Sequence, residues 1–211
     1  MKYSLVTEKH KKVIILCSGQ SLSPLAISKI RNIKIPVISV NGGIEYHDKC
    51  DYWVTIDPSI TNYRRMQRQL KGVKYYCGVP HDYGKPDNRI KAYRTALGHV
   101  HYLRREETFL NGFPEEKDSL ISGNSGFAAL NLAYHMEAKY VLILGMDGHG
   151  KYYNSKSGPR NLNGLDTMFE SVLPQLEERK MIVQNGSQIS TVECFPKVNS
   201  LWGISWLLNV V

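Results

Sequence analysis

The sequence predicts a three-layer α/β fold built on a mostly parallel sheet. Two patterns lead there. Short runs rich in Val and Ile, each bounded by turn residues, read as strands buried on both faces. Stretches with helical spacing lie between them, as crossover connections in a parallel sheet require. A third observation concerns where the runs stop. Five of them end in polar or glycine-bearing turns: Ser18-Gly19, Asn41-Gly42, Asp57-Pro58, Asp147-Gly148 and Asn185-Gly186-Ser187.

In chain order, the first strand is expected at residues 13–17, and it breaks off at Ser18-Gly19-Gln20-Ser21. Ser21 or Ser23 then caps a short helix over 24–31. The second run, 36–40, ends at Asn41-Gly42-Gly43. The third, 51–56, leads through Asp57-Pro58 into a basic helix over 61–70. A fourth strand is expected at 73–77. From 78 to 119 the pattern blurs: "GVPHDYGKPDNR" is loop-like and the residues after it fit strand or helix, so this span reads as a small insertion or lid. Order returns at Ser125, expected to cap a helix over 126–137 with Phe127, Leu130, Ala133 and Tyr134 on one face. A strongly apolar strand at 140–144 ends in Gly145-Met146-Asp147-Gly148-His149-Gly150. A helix over 165–179 and a strand at 181–184 come next. The tail "SLWGISWLLNVV" is expected to pack on the body. Residues 1–211 read as one domain.

Composition narrows the partners. No stretch is apolar enough to span a bilayer, and "MKYSLVTEKHKK" lacks the core of a secretory signal. Cys17, Cys50, Cys77 and Cys194 are scattered, without a CxxC pair, and read as reduced thiols. These features predict a cytoplasmic protein, peripheral to a membrane at most. A formal net charge of +8 favours anionic partners such as nucleotides, nucleic acid, phosphorylated sugars or anionic lipid. The charge clusters at Lys9, Lys11 and Lys12, at Arg64, Arg65, Arg68 and Lys71, and at Lys91, Arg94, Arg104 and Arg105. A solvated surface and a positive face over a nucleotide both fit these clusters.

In an open parallel sheet, ligands bind outside the carboxyl ends of the strands. The five turns would then gather along one edge, where glycine admits close backbone approach and helix-start amides favour phosphate. This predicts a nucleotide site without naming the nucleotide. The G-x-G-x-x-G, G-x-x-x-x-G-K-[ST] and G-x-S-x-G patterns are absent, which counts against dinucleotide-fingerprint, P-loop and α/β-hydrolase chemistry. His99 and His101 alone make no zinc site.

Three segments together carry a resemblance. "VIILCSGQSL", "ISVNGG…DYWVTIDPS" and "SGFAALNLAYHMEAKYVLILGMD" resemble the nucleotide-binding segments of the bacterial lipooligosaccharide sialyltransferases, glycosyltransferase family 42. The 6-hydroxymethylpterin diphosphokinase-like proteins, phage members included, share the pattern. The resemblance covers roughly residues 12–60 and 120–190. It implies a Rossmann-like fold, a cytidine or other pyrimidine nucleotide-sugar donor, and no metal. By position, Ser18 and Gly19, with Gln20 and Ser21 beside them, would face phosphate and ribose. Asn41, Asp57, Ser125 and Gly126 would contact the nucleotide. There are departures. Gln20 stands where the family has Pro, and Asp57 where it has Asn. His149 takes the place of the first of two phosphate-neutralising tyrosines, with Tyr152 and Tyr153 close to the second. No His falls at 160–163, where the family's base is expected.

Glycosyl transfer needs a base for the acceptor hydroxyl and fixed donors for the leaving phosphate. His149 is the candidate base, with Asp147 to orient or replace it. Tyr152, Tyr153 and Arg160 are candidates for the phosphate, Arg160 also for the acceptor. The acceptor would be a glycan or a modified base in DNA, and a homo-oligomer is compatible with the sequence. Two other readings stay open: a magnesium-dependent diphosphate transfer using Asp57 and Asp147, and a non-catalytic nucleotide- or nucleic-acid-binding module.

Overall fold

The computed structural model describes residues 3–57, 59–80, 97–107, 111–151 and 160–211. The strands are β1 (Lys12–Leu16), β2 (Val37–Val40), β3 (Tyr52–Thr55), β4 (Lys74–Val79), β5 (Val100–Glu106), β6 (Ser119–Ile121), β7 (Tyr140–Leu144), β8 (His149–Gly150), β9 (Arg160–Asn161) and β10 (Ile182–Asn185). Among the described residues, eight strands form one sheet in the order β10-β7-β1-β2-β3-β4-β5-β6, and every neighbouring pair is parallel. β8 and β9 make a separate antiparallel pair.

The reason for this sheet is visible in β1. Val13 and Ile15 join the core on one face, and Ile14 and Leu16 join the core on the other, all four fully buried. A run apolar at every position suits a strand covered on both sides. The first face is covered by α3 (Ser125–His135), whose eleven residues are all buried. Over α3 lie Phe113, α4 (Leu165–Glu170) and α5 (Leu173–Glu178): Phe127 packs on Phe113 and Phe169, and the Arg179 guanidinium sits 3.7 Å over the Tyr134 ring. The second face is covered by α1 (Pro24–Ile30), α2 (Ile60–Gln67) and α6 (Ser200–Asn209), through Ile27, Ile30, Met66, Ile204 and Leu207. The tail packs there as expected, and Lys12 Nζ donates to the Leu208 carbonyl near the end of α6.

Local details depart from the sequence reading in three places. The helix expected over 165–179 is two helices, because Pro174 lacks an N–H and its ring would strike the carbonyl one turn back. The cap of α3 is Asn124, one residue earlier than expected; its Oδ1 accepts from the Gly126 and Phe127 amides at 2.7 and 3.2 Å. The Ser125 hydroxyl is drawn away to the Ile56 amide at 3.3 Å. Within the span read as an insertion, β5 and β6 belong to the main sheet, with residues 81–96 outside the described set. No helix of the described residues is long and apolar enough to cross a membrane.

Beneath α3 is a buried polar pair. Asn131 Oδ1 accepts from the Ile121 amide at 2.9 Å, and His135 Nε2 lies 3.0 Å from the Ser119 carbonyl. Burial lowers the His135 pKa to about 4, so the ring is neutral near pH 7.

The chain order creates one crevice. From β1 the chain steps outward through β2 to β6, then returns to the other side of β1 as β7. The loops after β1 and β7 therefore leave in opposite directions, which opens a gap above the sheet.

Candidate active site

A cleft of about 600 Å³ lies in that gap. Its walls come from five segments far apart in the sequence: Ser18 and Gly19 after β1, Asn41 and Gly42 after β2, Asp57 and Ser59 after β3, Asn124 to Gly126 at the head of α3, and Gly145 to Lys151 after β7. Four of the five polar strand ends thus share one rim. The fifth, Asn185-Gly186-Ser187, stands behind it as a buttress.

That buttress acts through Asp147. Its carboxylate is 3% exposed and accepts from the Ser21 amide at 2.9 Å, from the Ser21 hydroxyl, and from the Ser187 hydroxyl at 2.6 Å. It ties the ends of β1, β7 and β10 together. The fit demands glycine at 19, where a Cβ would lie 2.5 Å from Asp147 Oδ2 and 2.6 Å from the Gly145 carbonyl. From sequence, Asp147 is expected to act as a base or to orient one. Here its carboxylate is occupied by the two serines, and its main-chain carbonyl is what meets His149.

His149 is exposed and lines the cleft, with Nδ1 3.1 Å from the Asp147 carbonyl. A carbonyl only accepts, so Nδ1 carries a proton, and in the neutral ring Nε2 keeps its lone pair. Gln20 and Ser21 do not line the cleft. Ser21 serves Asp147, and Gln20 Oε1 accepts from the Lys151 amide at 3.3 Å, bracing the loop that carries His149. Tyr152 and Tyr153 lie outside the described residues; Arg160 stands in β9.

On the β2–β3 side the floor is a network of amides. Asn41 adopts φ 48°, a left-handed conformation that Asn tolerates better than most residues. Three bonds hold it there: its carbonyl accepts from Trp53 Nε1 at 2.8 Å, and its Oδ1 accepts from Thr55 Oγ1 at 2.7 Å and Asn62 Nδ2 at 3.2 Å. Asp57, exposed at the rim, accepts from Asn62 Nδ2 at 3.2 Å. Asn62 in turn accepts from Arg65 Nη1 at 2.7 Å through its Oδ1. Arg65 and Asn62 both line the cleft, and the sequence reading names neither as a site residue, although it allows the cluster that holds Arg65 as a positive face over a nucleotide. Arg65 is visible in the sequence only as one of four cations on a basic helix; the i, i+3 spacing from Asn62 is the signal that puts the two on one face. Cys17 also lines the cleft, and burial pushes its thiol pKa up, so it stays protonated. All four cysteines are free. Among the described residues, no three His, Cys, Asp or Glu side chains gather as metal ligands.

No protein-family profile matches the chain, and no curated protein does. Among solved structures, the chain is similar to the sialyltransferase CstII from Campylobacter jejuni, in complex with a substrate analogue, CMP-3FNeuAc. The match covers 89% of this chain and 84% of that one at a TM-score of 0.51, with 15% identity. At that identity the likeness is one of fold: a Rossmann-like three-layer α/β architecture.

Proposed function

We propose that the cleft holds a nucleotide-sugar donor and that the protein transfers its glycosyl group to an acceptor hydroxyl. The observation that carries this reading is the convergence of Ser18, Asn41, Asp57, Ser125 and His149 on one cleft at the switch point of the sheet. His149 is the base. With Nδ1–H held by the Asp147 carbonyl, Nε2 takes the acceptor proton as the new glycosidic bond forms. The old bond breaks toward the phosphate, whose oxygen receives the electron pair. Fixed donors then stabilise that charge, and Tyr152, Tyr153 and Arg160 are proposed for this. The fold neighbour's CMP-sugar analogue supports a CMP- or other pyrimidine-linked donor, and the net charge of +8 suits an acidic acceptor, a glycan or a modified nucleic acid.

Diphosphate transfer with magnesium would draw on Asp57 and Asp147. Asp147 is engaged by Ser21 and Ser187, and Asp57 by Asn62, so the donor set favours chemistry without a metal. The test is a thermal-shift series in chelator. CMP or CDP at about 100 Kd is expected to stabilise the fold by about 2.7 kcal/mol, a rise of about 5–10 °C at this chain length. No shift with any pyrimidine nucleotide would overturn the donor assignment.

A further inference from the structure

We infer that Arg65 and Ser18 form a seat for an anionic phosphate oxygen over Gly42, a position that discriminates phosphorylated ligands from neutral ones. The inference rests on the reading of the cleft as a nucleotide-sugar site and names the group that holds the phosphate.

Arg65 is a cation held in one orientation. Its side chain is only 19% exposed. Nε donates to Glu45 Oε1 at 3.1 Å and Nη1 to Asn62 Oδ1 at 2.7 Å. Among the described residues Nη2 has no partner, and it lies beside Gly42, where an added Cβ would sit 3.5 Å from Nη2 and 3.8 Å from Ser18 Oγ. A guanidinium N–H and a hydroxyl that has no other partner among the described residues therefore flank Gly42 on the cleft wall, and an oxygen set against that glycine would lie between them. Glu45 does not cancel the charge. It is shared with Arg68, at 3.1 Å to each arginine, so two cations face one carboxylate. A guanidinium with two of its edges fixed is a preorganised phosphate donor.

Gly42 makes the seat testable. Its φ lies outside the left-handed region, and an added methyl would meet nothing nearer than 3.5 Å, an ordinary contact. Gly42→Ala is therefore compatible with the fold, yet it puts a methyl group in the seat. It also leaves every bond of Arg65 in place. Arg65→Gln removes the charge. Arg64→Ala removes an exposed cation from the same helix, touches no part of the cleft wall and leaves Glu45 with both of its arginines.

The experiment is calorimetric titration of the four proteins with CMP and with pyrophosphate, alongside their melting temperatures. Expected is a loss of about tenfold or more in affinity for both probes in Gly42→Ala and Arg65→Gln, with Arg64→Ala within about twofold of wild type. Melting of Gly42→Ala near wild type shows that the fold is intact. Wild-type affinity in Gly42→Ala and Arg65→Gln overturns the seat while leaving the nucleotide-sugar reading standing. Loss of pyrophosphate binding in both variants, with no CMP binding and no turnover of any nucleotide sugar by wild type, supports the seat and removes the glycosyltransferase reading. Failure of wild type to bind either probe removes both.

Discussion

Replacing Asp147 with Ala separates a structural carboxylate from a catalytic one. In the structure this carboxylate is 3% exposed and receives three hydrogen bonds. Truncation leaves the Ser21 amide and the hydroxyls of Ser21 and Ser187 without their acceptor. The amide cannot turn to another partner, so it costs about 1–3 kcal/mol. The hydroxyls rotate, and each costs about 1 kcal/mol. The sum is about 3–5 kcal/mol, or a drop of about 10 °C in melting temperature for a chain of this size. Asp147→Asn keeps one acceptor oxygen and should lose about half as much. The assay is urea denaturation with parallel thermal melts, in the absence of ligand. A catalytic base outside any structural network would give the opposite pattern: unchanged stability with turnover lost. An Asp147→Ala protein melting within about 2 °C of wild type would refute the brace.

Three further outcomes rest on the same geometry. His149→Ala is expected to abolish turnover of a nucleotide sugar while CMP still binds, since among the described residues the ring's hydrogen bond is to the Asp147 carbonyl; unchanged activity would remove His149 from the mechanism. Gly19→Ala should destabilise by about 1–3 kcal/mol, because its methyl would meet the Gly145 carbonyl at 2.6 Å, and a wild-type melting curve would contradict that contact. Stability should fall on acidification. The folded-state pKa of His135 is about 4 against 6.5 unfolded, so the unfolded chain takes up the proton first. Between pH 7 and 5 this costs about 2 kcal/mol, read by urea denaturation, and His135→Gln should flatten the slope. Below pH 4.5 Glu8 adds to the loss: burial raises its pKa, but hydrogen bonds from Lys74 and Tyr76 outweigh it and hold it at about 2.

Six of the eight strands of the main sheet are legible in the sequence because a strand buried on both faces needs apolar residues at every position, and few other segments do; β5 and β6, in the span read as an insertion or lid, are not. The expected β7 run at 140–144 matches the observed strand residue for residue. Pro174 announces the break between α4 and α5, since a missing N–H acts locally; helical spacing alone hides it. The choice between Asn124 and Ser125 as cap is not legible. Both can accept from the helix amides, and the matter turns on the Ile56 amide, a donor 69 residues away that takes the Ser125 hydroxyl.

The sequence by itself determined a parallel sheet and the gathering of polar turns at its carboxyl edge, because periodicity and turn chemistry are properties of neighbouring residues. Only the tertiary structure decided what each polar group does there. Asp147 braces three strand ends, Gln20 braces the His149 loop, and Arg65 turns toward Gly42 while Arg64 faces solvent. A carboxylate or a guanidinium is chemically the same residue in every role. Its role depends on which donors and acceptors distant segments bring within about 3 Å, and the spacing of residues along the chain does not encode that distance.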